Sequence, residues 1–110
     1  MMSILFSETK IGSLALANRL IRTASHEGLA DSHGRPTEEQ FVFYKGFIEG
    51  GIGLVITGYA GISQTGKSAL YHMTMIDSDD LIPSHRKLVE RVHGIGGKIV
   101  LELSVVPLKK

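Results

Sequence analysis

The run Thr37-Glu38-Glu39-Gln40-Phe41-Val42-Phe43-Tyr44, continuing through Phe47 and Ile48 to Gly50-Gly51-Ile52-Gly53-Leu54-Val55-Ile56-Thr57, decides the fold. It opens on a capping box, in which the Thr37 hydroxyl accepts from the backbone N–H three residues on while Gln40 reaches back. A helix should start there. Phe41, Tyr44 and Ile48, with Phe43 and Phe47 beside them, supply an apolar face at helical spacing. Gly50 and Gly51 can adopt the left-handed conformation that ends a helix. The short apolar run from Gly53 to Thr57 then reads as a strand covered on both faces.

Working outward, Leu20-Ile21-Arg22-Thr23-Ala24 predicts another short strand. Between it and the helix lie Gly28, Asp31, Ser32, Gly34 and Pro36, turn formers dense enough to impose a loop. Further back, Gly12-Ser13 separates two short alternating segments in the pattern of a β-hairpin. Downstream the unit repeats. A polar, glycine-rich loop runs from Gly58 to about Ser68, followed by a capping cluster, Asp77-Ser78-Asp79-Asp80. The second helix that follows should bury Leu81, Leu88, Val89 and Val92, with Pro83 tolerated in its first turn. Gly94, Gly96 and Gly97 end it before a third strand, Lys98 to Leu103.

Strands near residues 20, 53 and 98, separated by helices, predict an α/β fold with parallel pairing. Three parallel strands with two helices leave both sheet edges open, whereas such sheets are normally covered or closed. The order fits the first three strands and two helices of a (β/α)₈ barrel, which takes roughly 250 residues. A small open α/β domain is the alternative. An incomplete sheet would be expected to self-associate through its edges.

Composition narrows the function classes. The 110 residues carry 12 basic and 11 acidic side chains, a formal charge of +1, so no net field recruits nucleic acid or an acidic membrane. Apolar residues make up 43%, enough for a core. Cysteine is absent, which removes disulfides and thiolate chemistry and fits a reducing compartment. With no basic head and only Ile4 to Phe6 as an apolar core, the N-terminus does not read as an export signal. The expected location is cytoplasmic. No apolar run approaches the ~20 residues of a spanning helix.

Gly61-Ile62-Ser63-Gln64-Thr65-Gly66-Lys67-Ser68 fits the G-x-x-x-x-G-K-[ST] form of a phosphate-binding loop, with Lys67 neutralising charge and Ser68 on Mg²⁺. It follows a strand, as it should. The helix required after Ser68 has poor propensity through Tyr71-His72-Met73-Thr74, and Glu102 is a poor substitute for the metal-ordering aspartate. A nucleotide-binding module therefore stands as an alternative to a glycine-rich loop. His33, His72, His85 and His93 share no metal-ligand spacing. Arg22, inside an apolar strand, needs a partner such as Glu27 or Asp31, because an unpaired buried charge is costly. No nucleophile lies beside a base.

Taken in order, Ile11-Gly12-Ser13-Leu14, the run from Asn18-Arg19 through Arg22-Thr23-Ala24-Ser25-His26-Glu27-Gly28 to Asp31, Gly34-Arg35-Pro36-Thr37, the run from Glu49-Gly50-Gly51 to Gly58, and Gly96-Gly97-Lys98-Ile99 resemble Old Yellow Enzyme-type NADH:flavin oxidoreductases. The resemblance runs from about Leu5 to Leu103, at family-like spacing. It also covers Gly66 and Lys67, which are similar to a glycine and a basic residue in the family's loop after the second strand.

The resemblance implies residues 1–110 as the N-terminal part of one FMN-binding (β/α)₈ TIM-barrel domain, led by a hairpin that closes the bottom. It implies FMN as cofactor, NAD(P)H as reductant and hydride transfer to a small-molecule acceptor, with cofactor chemistry that protein groups hold and tune. By alignment, Thr23, Ala24, Ser25 and His26 fall on the first strand's flavin-contacting end, Tyr59 after the second strand and Glu102 on the third. The family usually carries glutamine at that last position. A carboxylate only accepts hydrogen bonds, whereas an amide also donates. Beyond Leu103 the chain departs from the family's pattern, and no family catalytic residue is matched within it. The segment alone is therefore expected to be inactive.

Overall fold

The computed structural model describes residues 3–63 and 72–104. The hairpin forms as expected: β1 (Thr9–Ile11) pairs antiparallel with β2 (Leu14–Leu16), Thr9 opposite Leu16. A 3₁₀ turn at Ile4–Phe6 precedes it, capped by the Ser3 hydroxyl, which accepts from the Leu5 N–H.

The main sheet is parallel, in the order β3 (Ile21–Arg22), β4 (Leu54–Ile56), β6 (Ile99–Val100). Arg22 stands opposite Val55, and Val55 opposite Ile99. Because side chains alternate across a strand, these three residues share one face, and that is where the helices pack. Phe41 and Tyr44 of α1 (Glu38–Glu49) meet Val55 together with Leu88 and Val92 of α2 (Ile82–Gly94), with Ile48 and Ile99 packed around them. Among the described residues no helix packs on the opposite face, and Ile21 and Val100 remain substantially exposed there. A second cluster, Met73, Met75 and Leu81 with Tyr59 against it, fills the space beyond the strand ends.

Several expectations are corrected. Thr37 does cap α1, its hydroxyl accepting from the Gln40 N–H at 3.2 Å, a contact worth about 1 kcal/mol. The reciprocal half of the box is missing. The Gln40 amide turns inward instead, donating to the Tyr44 hydroxyl at 3.2 Å and the Thr74 hydroxyl at 3.4 Å. At the helix end only Gly51 is left-handed, with φ of 99°, while Gly50 keeps helical backbone. The cluster from Asp77 to Asp80 does not cap α2 directly. A 3₁₀ turn, Asp79–Leu81, leads into the helix, and the Ser78 hydroxyl binds the Asp80 carboxylate. On α2, His85 takes the core position expected of Val89, satisfied by its Nε2 donating to the Met75 carbonyl at 2.9 Å.

The largest departure lies beyond β4. The expected loop from Gly58 contains a strand, β5 (Ala60–Gly61), and the expected third strand breaks in two, β6 and β7 (Leu103–Ser104). β5 and β7 form a separate parallel pair, Ala60 opposite Leu103. The break occurs where the Thr57 hydroxyl accepts from the Glu102 N–H at 3.2 Å, so a side chain stands in for a ladder carbonyl. The pairing then resumes when Ala60 N–H donates to the Glu102 carbonyl at 2.8 Å. Among the described residues no helix is long and apolar enough to cross a membrane.

Candidate functional site

Parallel pairing sends the C-terminal ends of β3, β4 and β6 to one edge of the sheet. Residues 23–26, 57–59 and 102 therefore gather there although they are far apart in the chain. Thr23 and Ser25 are exposed at this edge, while Ala24, His26 and Tyr59 are half-buried. The His26 and Tyr59 rings stack, with centroids 6.1 Å apart and planes 28° from parallel. Glu102 has an exposed side chain, and its backbone is held from both sides by Thr57 and Ala60.

Immediately beneath this edge lies a buried ion pair. Arg22 Nη1 is 3.0 Å from Glu27 Oε1, with the two side chains 8% and 4% exposed. The guanidinium also donates to the Ile56 carbonyl at 2.9 Å, the Ser25 hydroxyl at 2.9 Å and the Ser25 carbonyl at 3.3 Å. Its remaining surface faces the rings of Phe43, Tyr44 and Phe47, 5.4 to 5.8 Å from their centroids. Cation–π contact of this kind suits a guanidinium shielded from water. Glu27 Oε1 accepts from the Gly58 N–H at 2.9 Å and from the Tyr44 hydroxyl. Burial, with the Glu27 carboxylate beside it, pushes the Tyr44 phenol well above its ordinary range.

Of Arg22's two sequence candidates, Glu27 is the partner. Asp31 pairs with Arg35 at 2.8 Å instead, half in solvent, and its other oxygen accepts from the N–H groups of His33 and Arg35. Sequence reasoning missed Tyr44 and Gly58 as parts of this network. Tyr44 was legible only as an apolar helix position, yet a buried tyrosine carries a hydroxyl that must find a partner.

The phosphate-loop reading fares differently. Gly61 sits in β5, its N–H donating to the Thr74 carbonyl at 3.0 Å, so it is engaged in backbone pairing. Gln64 to Ser68, including Lys67, lie outside the described residues. No group of three or more His, Asp or Glu side chains is disposed to hold a metal among the described residues.

Parallel strands whose C-terminal ends converge on a shared edge define an α/β segment of the kind that places ligands beyond its strand ends. The chain belongs to the NADH:flavin oxidoreductase / NADH oxidase family, whose profile matches residues 4–110. It is 42% identical over 102 residues to a metal reductase of Desulforamulus reducens, covering 93% of this chain and 15% of that protein. It is 34% identical over 101 residues to an N,N-dimethylglycine/sarcosine dehydrogenase of Chromohalobacter salexigens, again 15% of its length. Among solved structures, morphinone reductase in complex with tetrahydroNAD superposes with a TM-score of 0.83 at 28% identity, over 96% of this chain and 28% of the other. The Old Yellow Enzyme of Pichia sp. AKU4542 gives 0.84 at 26% identity, over 94% and 26%. The chain thus spans between 15% and 33% of the length of the relatives it matches.

Proposed function

We propose that this chain contributes the first strand-end portion of an FMN site in an NAD(P)H-dependent oxidoreductase acting on a small-molecule acceptor. The observation that carries the reading is the convergence of residues 23–26, 59 and 102 on one sheet edge in a chain of this family. On this reading the segment is the N-terminal part of a (β/α)₈ barrel. The sheet face with Ile21 and Val100, free of helices among the described residues, is then the one that further strands of the barrel, or failing those a second copy, would cover.

The residues suit the group with one exception. Thr23 and Ser25 supply hydroxyls that donate or accept, Ala24 leaves its backbone approachable, and the His26–Tyr59 stack offers a flat aromatic wall beside a planar ring system. Glu102 is the exception, since its carboxylate accepts only and repels an anionic partner. Its exposure leaves it hydrated, which weakens that repulsion. FMN, when bound, would accept hydride from NAD(P)H and pass it on; this chain's own residues would hold and orient it.

The test is a titration of FMN with the 110-residue chain, followed by flavin fluorescence and by the visible absorption band. Saturable quenching with a band shift is expected. Unchanged fluorescence at high protein excess overturns the reading for this chain.

A further inference from the structure

We propose that the Arg22–Glu27 ion pair is a positioning clamp for residues 23–26, fixing that segment against the end of β4; its bearing on a ligand rests on the flavin reading above. Residues 23–26 follow a strand of only two residues and lie past the last pair of its ladder with β4, Arg22 with Val55. The clamp supplies what the ladder lacks. Arg22 grips the segment at two atoms of Ser25 and grips β4 at the Ile56 carbonyl. Glu27, the first residue beyond the segment, binds the Gly58 N–H just past β4 and the hydroxyl of Tyr44 on α1. Both ends of the segment are thus tied to the same neighbouring strand, and the tie is backed by a helix.

The chemistry requires a charged pair here. A guanidinium presents its donors in a rigid fork, so Nη1 serves Ile56 and Glu27 while Nη2 serves both atoms of Ser25, four bonds that the three donors on a single ammonium nitrogen cannot span. Charge-assisted bonds are shorter and stronger than neutral ones, and their strength rises out of water. Gly58 completes the fit, because a Cβ there would lie 2.1 Å from Glu27 Oε2 and 2.5 Å from the Ser25 carbonyl oxygen. The carboxylate and the segment both press against bare backbone.

Arg22→Lys and Glu27→Gln test the clamp in the full 110-residue chain by amide hydrogen exchange, read together with the FMN titration. Lysine keeps the charge without the fork, and glutamine keeps an acceptor without the charge. In both, exchange of the Gly58 amide, whose N–H Glu27 binds, should accelerate by about tenfold or more, the scale of one lost charge-assisted bond, while Val92 in α2 keeps its protection. FMN should bind about tenfold more weakly, with a broadened visible band. Uniform acceleration that includes Val92, or unchanged exchange at Gly58, overturns the clamp. If the wild-type chain leaves FMN free, the flavin reading fails while local exchange still judges the clamp. If it binds FMN and both variants bind equally well, the clamp fails alone. Should these two variants lose their fold, Tyr44→Phe removes a single hydroxyl from Glu27 and must give a smaller acceleration at the Gly58 amide; none there also overturns it.

Discussion

Gly58 and Glu27 occupy space that only a missing side chain leaves open: a methyl group on Gly58 would stand 2.1 Å from Glu27 Oε2. The carboxylate cannot swing aside, because Arg22, Tyr44 and the Gly58 N–H itself hold it. The Ser25 carbonyl, 2.5 Å from the same point, is backbone and cannot rotate away. Gly58→Ala should therefore destabilise the chain by about 1–3 kcal/mol, as overpacking does. Urea unfolding measures it; a loss within error would mean that the strand ends shift freely.

Tyr44→Phe keeps the ring in the core and removes only the hydroxyl. Loss of that bond to Glu27 should cost about 1–2 kcal/mol at neutral pH. The alkaline limb gives a sharper signature. The folded-state pKa of Tyr44 is raised above its ordinary 10.0, by burial first and by the Glu27 bond second. A raised pKa means a contribution fully present below about pH 10 and lost as pH climbs through the folded value, since the unfolded chain releases its proton first. The stability gap between wild type and Tyr44→Phe should hold up to about pH 10 and shrink as pH rises above it.

Arg91 and Glu38 join the two helices at the surface, and the Arg91 guanidinium also sits 3.8 Å over the Phe41 ring. The Arg91 hydrogen bond holds the Glu38 carboxyl below its ordinary 4.5. A lowered pKa means a contribution present above about pH 4.5 and lost as pH falls through the folded value. A double-mutant cycle with Glu38→Gln and Arg91→Ala should show a small coupling at neutral pH that vanishes in acid and shrinks in high salt. Coupling that persists in acid would assign the contact to the ring and not to the charge.

Glu102→Gln restores a donor at the sheet edge and removes a negative charge. On the flavin reading FMN should bind more tightly, by roughly tenfold or about 1.4 kcal/mol. The exposed position predicts little change in stability. Equal or weaker FMN binding by the variant in the fluorescence titration would remove Glu102 from the site.

Much of the architecture could be read along the chain because it depends on short-range chemistry. Thr37 caps a helix wherever a helix follows, and the aromatic spacing from Phe41 to Tyr44 selects the face that packs on Val55. The hairpin around Gly12 is equally local. The break between β6 and β7 was not legible, because it depends on the Thr57 hydroxyl reaching an amide 45 residues away. His85 for Val89 in the core was hidden for a similar reason: a histidine is buried only when a carbonyl waits for it, here that of Met75.

The same division holds at the strand ends. The amino-acid sequence determined that parallel strands would bring residues 23–26, 59 and 102 to one edge, and that an arginine inside an apolar strand must find a counter-charge. Two carboxylates were within reach, and nothing local separates them. Tertiary structure chose Glu27, at 4% exposure, over Asp31, at 34%. Packing α1 across β3 and β4 excludes water around Glu27 and brings Tyr44 and Gly58 to it, while Asp31 keeps solvent and Arg35. A buried charge settles where the most donors converge out of water, and only the folded chain creates such a place.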